Sequence, residues 1–310
     1  PLEQRRLLAV DVTLDSGLLT VNFDDASHDV VDLQINATGY SYNAIINGTE
    51  NTSGSGLGTV TGLSVTDDGA SNLSEFTLSD ASTSLSEGLS ISSEIDIASI
   101  TSDVTTASSN GSVVIDSPVL FLSGHVHSGD ASQTYGSVVL AADVNVTTST
   151  GVPGDLQIHF QGTVDSDDNA TPRTLNVKSE AIYFDADVGS QSALNDLVGY
   201  TVNDSAERGQ FYQSVRTTGN QTYQAGTSSG DVEFNGTYKA DGNIQLLGEG
   251  TFGVVLSLAG DTSIDVGTGE FSVQKGSSPT YPGGNIVSEG ESANLTITAG
   301  NITVPAGIGV

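Results

Sequence analysis

Short runs in which apolar and polar residues alternate recur from Leu19 almost to Val310, each followed by a turn of Gly, Asn, Asp or Ser. LTVNF (19–23), VDLQI (31–35), EFTLS (75–79), LSISS (89–93), SVVLAADVNVTT (137–148), DLQIHF (155–160), DVEF (231–234) and TSIDV (262–266) all show the pattern. Alternation sends every second side chain to one face, the signature of a half-buried strand. Kept up along nearly the whole of 310 residues, it leaves little room for helix.

Strand starts at 19, 31, 42, 60, 75 and 89 are spaced as in a sandwich or barrel and equally as in a solenoid. Two features favour the solenoid. Connections vary in length while strands stay short. SVVIDSPVLFLSG (112–124) and RTLNVKSEAIYFDADVG (173–189) each hold two strands joined by a corner of one or two residues, where antiparallel hairpins prefer Asn-Gly or Asp-Gly. The reading is a single all-β unit, a right-handed parallel β-helix; tandem β-sandwiches are the alternative. At about 20–25 residues per coil it would stack roughly a dozen coils into a rod on the order of 60 Å long. Pro153, Pro172 and Pro282 are expected at corners or loops. Residues 1–18 read as an N-terminal motif and first-coil segment, 19–293 as the body, and 294–310 as a closing strand.

Composition narrows the function. With 36% hydrophobic residues the core is thin, which suits an elongated fold. The net charge of −30, from 38 acidic and 8 basic residues, excludes nucleic acid, which needs clustered Lys and Arg. Cys, Met and Trp are absent, so there is no thiol chemistry, and the lack of oxidisable side chains suits a secreted protein. No apolar run approaches the roughly 20 residues that span a bilayer. No signal peptide opens the chain, which starts at Pro1, so the numbering is read as beginning after processing or at the edge of an expressed piece.

PLEQRRLLAVD (1–11) resembles the LExRxLLS-type motif near the start of planctomycete extracellular proteins: Leu2, Glu3, Arg5, Leu7 and Leu8 match, while Ala9 stands where Ser is usual. From Gly154 to Gln224 the cadence GDLQIHFQGTVD, RTLNVKSEAIYFDADVG, ALNDLVGYTV and VRTTGNQTYQ is similar to the β-helical modules of those proteins, which resemble filamentous haemagglutinin adhesins in style. The resemblance implies a secreted or cell-surface, structural or adhesive protein, and it supplies no catalytic residues.

The chemistry is sparse. Asp165, Asp167 and Asn169 place oxygens at alternate positions, as a calcium loop opens, but Ala170 stands where Gly is expected and Asn176 where the closing Glu should be. A solvated turn is the plainer reading, and calcium is the one cofactor suggested; Asp24-Asp25 and Asp67-Asp68 are weaker versions. His125 and His127 share one strand face at a spacing that chelates zinc, with Asp130 and His159 as candidate further ligands; a solvated face is the plainer reading. Tyr183, Phe184, Phe211, Tyr212 and Tyr223 would form a sugar-stacking strip or, more simply, core and ladder residues. Scattered basic residues give no catalytic constellation, so no enzyme is expected. Twelve of the eighteen asparagines head N-x-Ser/Thr acceptors, Asn36, Asn47, Asn51, Asn72, Asn110, Asn145, Asn169, Asn203, Asn220, Asn235, Asn294 and Asn301. Glycosylation or ordinary solenoid turn grammar would each explain them.

The ends complete the expectation. Leu7, Leu8, Val10, Val12 and Leu14 at the front, and Ile302, Val304, Ile308 and Val310 at the back, read as uncapped edges. Two unlike ends make a heterologous, filament-forming contact. The expected function is therefore a structural subunit of an extracellular filament that pairs head to tail with itself. The alternative is an adhesin module that binds surface glycans or neighbouring cells, with calcium assisting.

Overall fold

The computed structural model describes residues 10–23, 28–46, 50–68, 73–80, 82–107, 111–149, 156–202, 209–226, 231–248, 254–274, 286–288 and 293–303. Among them every regular element is a strand, and the strands stack as parallel coils, so the chain is a β-solenoid and not a pair of sandwiches. One coil shows how it is built. Val113–Ile115 lies in the first sheet (A), Val119–Leu122 in the second (B) and Val126–Ser128 in the third (C). The chain then re-enters sheet A at Gln133–Tyr135, parallel to Val113–Ile115.

Sheet A has 12 strands and sheet C has 10. Sheet B comes in pieces of 8 and 4 strands, joined through Val188, which bridges Val164 on one side and Val215 on the other. Register partners in sheet A lie from 20 residues apart (Val113 to Gln133) to 30 (Leu256 to Ile286). Leu19 and Leu63 stand 44 apart, because two extra strands intervene. SVVLAADVNVTT is two strands, Val138–Leu140 and Val144–Thr148, with the B-to-C corner falling at residues 141–143. Pro172 lies between strands, and Pro153 and Pro282 fall outside the described residues.

The first five strands correct the expectation of bare, uniformly parallel ends. They are β1 (Val10–Asp15), β2 (Leu18–Phe23), β3 (His28–Asn36), β4 (Gly39–Ile46) and β5 (Glu50–Leu57). β1 adds to sheet A antiparallel to β2 through a two-residue hairpin at Ser16-Gly17, both with positive φ (53° and 95°), as such hairpins require. β4 and β5 add to sheet B as an antiparallel meander outside β3. On its inner side Tyr40 and Tyr42 lie over Gly56 and Gly54, where an added Cβ would stand 2.5 Å from each ring. The front of the rod is thus partly closed. Val10 is only 5% exposed and joins the core, and Val12 and Leu14 pack half-buried against it. These three serve the rod's own interior; Leu7 and Leu8 lie outside the described residues.

Register stacks like on like inside. One inward column of sheet A runs Val21, Val65, Ile91, Ile115, Tyr135, Phe160, Phe184, Tyr212, Phe234. From Tyr135 to Tyr212 the rings stack at 5.1, 4.6 and 5.1 Å, each within 18° of parallel. Tyr223 of sheet C then wedges edge-on against Tyr212 and Phe234 at 4.7 and 4.9 Å, ending the parallel stack. Of the five aromatic candidates, Phe184, Tyr212 and Tyr223 are therefore core. Tyr183 and Phe211 pair on the outer face of sheet A.

Candidate functional sites at the corners, flanks and ends

Buried polar side chains are placed to tie coils together. Three Gln-x-Tyr pairs put both side chains inward: Gln133/Tyr135, Gln210/Tyr212 and Gln221/Tyr223. In each the Tyr hydroxyl donates to the Gln Oε1, at 2.6, 2.8 and 2.9 Å. Each Gln Nε2 then crosses the core to a backbone carbonyl of another sheet: Thr147 at 2.6 Å, Gln224 at 2.7 Å and Lys239 at 2.9 Å. Burial pushes the hydroxyl pKa of Tyr135, Tyr212, Tyr223 and Tyr238 well above the ordinary value, because the phenolate would lose its water.

The corners do the same with Asp and Asn. At the entrance to sheet C, Asp103 accepts from the His125 N–H (2.8 Å), Asp143 from Thr174 (2.8 Å), Asn220 from Asn243 (3.0 Å) and Asn243 from Glu270 (2.9 Å). Asp196 accepts from Asn220 in the same manner. Each side chain satisfies a backbone donor of the next coil, as an N-cap does for a helix. The signal was present in the chain as Asp or Asn just before an alternating run, at Asp143-Val144, Asp196-Leu197, Asn220-Gln221 and Asn243-Ile244.

The calcium candidates belong to this network. Asp165, 6% exposed, accepts through Oδ1 from the N–H groups of Gln191 (2.8 Å) and Ser192 (3.1 Å). Asp167 receives Arg173 Nε at 2.8 Å and Nη2 at 3.2 Å, while Asn169 is exposed. Asp168 closes its own turn. The Ala170 N–H and the Thr171 hydroxyl hold its carboxyl below the usual range. Two of the three predicted ligands thus already hold protein donors, and among the described residues no group of three or more His, Cys, Asp or Glu is placed to hold a metal. Asp67 is buried, and Asp24-Asp25 lie outside the described residues.

His125 and His127 do face outward together on sheet C. His125 Nδ1 accepts the Asn145 backbone N–H at 3.1 Å, so the ring's proton sits on Nε2 in the neutral form. A zinc ion at Nε2 needs the opposite tautomer. His127 Nδ1 meets the Thr147 hydroxyl at 2.8 Å. His159, one of the two candidate further ligands, is on sheet A and pairs with Asp185 at 2.7 Å. Among the sequons, Asn145, Asn220 and Asn294 use their side chains in coil-to-coil bonds, while Asn36, Asn51 and Asn169 are exposed. Asn235 is half-buried and Asn301 exposed; Asn47, Asn72, Asn110 and Asn203 lie outside the described residues.

At the far end the strands Ile286–Ser288, Leu295–Thr298 and Asn301–Thr303 continue the three sheets. Ile302 is 49% exposed there although it follows the wholly buried Phe271 in register. Val304, Ile308 and Val310 lie outside the described residues. No helix among the described residues is long and apolar enough to cross a membrane. Comparison with known proteins finds no matching family model, no matching curated protein and no matching solved structure. The class of protein is therefore set by its fold, an all-β solenoid.

Proposed function

We propose that the chain is a structural, non-catalytic rod of an extracellular or cell-surface assembly, joined to further copies through its ends. The observation that carries this reading is where apolar side chains are exposed. Among the described residues six large ones are exposed. Leu18, Ile45 and Leu57 are at the front, Val287 and Ile302 at the far end, and only Phe121 is on the body. Four of the end strands are also nearly free of charge: β5, Ile286–Ser288, Leu295–Thr298 and Asn301–Thr303 carry one ionisable residue, Glu50, while β1 at the front edge of sheet A carries Asp11 and Asp15. A net charge of −30 opposes side-by-side contact, so attraction at the ends favours linear growth. Extracellular placement draws on the resemblance of residues 1–11 and on the absence of Cys and Met.

Electron microscopy and light scattering test this. Rods joined end to end are expected, growing as salt screens the acidic flanks, and shortening when Leu57→Asp and Ile302→Asp are introduced. Strict monomers at high concentration and high salt would end the proposal. A second reading, glycan binding along a flank, draws on the outer face of sheet C. There His127, Thr147, Lys178 and Tyr200 form one row and Asn145 and Asn176 the row beside it, none of them a carboxylate, and Lys178 Nζ stands 5.1 Å from the Tyr200 ring centre. Retardation in a polysaccharide gel that Tyr200→Ala abolishes would favour it.

A further inference from the structure

We infer that the front joint is a two-fold one, in which β5 of one copy pairs antiparallel with β5 of a second; the inference rests on the reading of the rod as joined at its ends. Proteins blunt exposed sheet edges with short strands, charges, proline or bulges. β5 has only one of these, a single charge. It spans eight residues, Glu50–Leu57, in unbroken register with β4, from Ile46 opposite Glu50 to Gly39 opposite Leu57. It contains no Pro or Lys, and its one charge is at its first residue. By contrast, β1, the edge of sheet A, carries Asp11 and Asp15 pointing outward.

A second copy is the occupant that fits this edge. An antiparallel pair sets the two Glu50 residues at opposite ends of the joint, so like charges do not meet. The strand Leu295–Thr298, the head-to-tail candidate, has four residues and would cover half of β5. Side-chain facing restricts the register. Asn51, Ser53, Ser55 and Leu57 share the outer face, so a two-fold perpendicular to the sheet must pair odd positions with odd. Centred on Gly54, it sets Leu57 of one copy opposite Asn51 of the other, and Ser53 opposite Ser55.

That register gives the most exposed large apolar side chain among the described residues a seat. Leu57 is 92% exposed. Beside Asn51 on the same face is a depression of about 400 Å³, with Val30 and Ile45 among its lining residues. Ile45 is itself paired with Asn51 and with Val30 across the meander. The second copy's Leu57 therefore extends a row that runs Asn51, Ile45, Val30, and each copy fills the other's depression.

The chain has no cysteine, so introduced thiols report without interference. Directly opposed residues of an antiparallel pair stand within disulfide reach. Ser53→Cys and Ser55→Cys are made singly and together in full-length protein from a host that adds no N-glycans, with Thr237→Cys on the exposed body as a control for random collision. Covalent dimers are expected from the double variant and from an equal mixture of the two singles, at least tenfold above either single alone and above the control. Ser53→Lys with Ser55→Lys is expected to abolish the joint while leaving the urea midpoint unchanged. Linking by Ser53→Cys alone would move the two-fold off Gly54 and overturn the Leu57 seat. Linking only when Ser55→Cys meets Thr296→Cys would show a head-to-tail joint and overturn the two-fold. Fibres without any cross-link through β5 would sink this inference and spare the assembly reading; single rods throughout would sink both.

Discussion

Tyr212→Phe separates the work of a buried ring from that of its hydroxyl. The contacts with Phe184, Tyr223 and Phe234 survive, and what is lost is the donation to Gln210 Oε1 at 2.8 Å. Gln210 is 1% exposed, so water cannot replace the donor. A buried acceptor stripped of its partner costs about 1–3 kcal/mol. Gly199, in the adjoining sheet C strand, sharpens the test. A Cβ there would stand 2.0 Å from the Tyr212 hydroxyl oxygen and 2.6 Å from Gln210 Oε1, but 3.3 Å from the Tyr212 ring carbon Cζ. Gly199→Ala alone overpacks the site and forces the hydroxyl off Gln210, at a cost of about 1–3 kcal/mol. Adding Tyr212→Phe removes the nearest clashing atom. The double variant is therefore expected to fall short of the sum of the singles by about 1 kcal/mol or more. Urea unfolding followed by far-ultraviolet circular dichroism measures all three variants; tyrosine fluorescence is unsuitable, since the chain has no Trp and the substitution changes the signal itself. Strictly additive costs, or a Tyr212→Phe midpoint equal to that of the parent, would refute the pairing of Gln210 with Tyr212.

Alkali should unfold the rod by a route set by its buried phenols. Their folded pKa values are raised above the unfolded value of about 10, so their contribution is whole below pH 10 and is lost as pH rises beyond it. A urea midpoint that falls between pH 9 and pH 11 is expected, and a flat profile would contradict the burial. At the corners, Asp143→Ala should cost about 1 kcal/mol by orphaning the Thr174 N–H, and Asp143→Asn close to nothing, since an amide oxygen accepts the same bond. Faster hydrogen exchange at Thr174 in the first variant only is the matching readout; equal exchange in both would remove the ladder argument. Calcium or EDTA should leave the melting temperature unchanged, because Asp165 and Asp167 already have donors. A rise with calcium that disappears in Asp167→Ala would overturn that assignment.

Strand sidedness was legible because it is a local property. DVEF and TSIDV fall directly on Asp231–Phe234 and Thr262–Asp265. Strand direction was not, since alternation reads the same whether a neighbour runs parallel or antiparallel. The only local sign of the front meander was its turns. Ser16-Gly17 reverses the chain without the Asn-Gly or Asp-Gly expected of a hairpin, and at the next turn Asn36 Oδ1 accepts the Thr38 N–H at 2.9 Å. Missing those two turns made the front look bare, and it put Val10, Val12 and Leu14 on an interface when Val10 lies in the core and the other two pack half-buried against it.

The partners of the acidic residues were not legible for a related reason. Alternate oxygens are what the opening of a calcium loop and a row of corner acceptors have in common, and spacing along the chain cannot tell which partner they meet. Asp165 finds its partner 26 residues on, at Gln191, where only coil stacking could bring it. That stacking also gives the charge a second effect. A carboxylate that accepts from the next coil holds the rod together along its axis, while its unpaired field still repels a parallel neighbour. Cohesion along the axis and repulsion across it then come from the same side chains. Among the described residues five of the six large exposed apolar side chains sit at the two ends, and with a lightly charged edge at β5 this pattern leaves one direction open for growth.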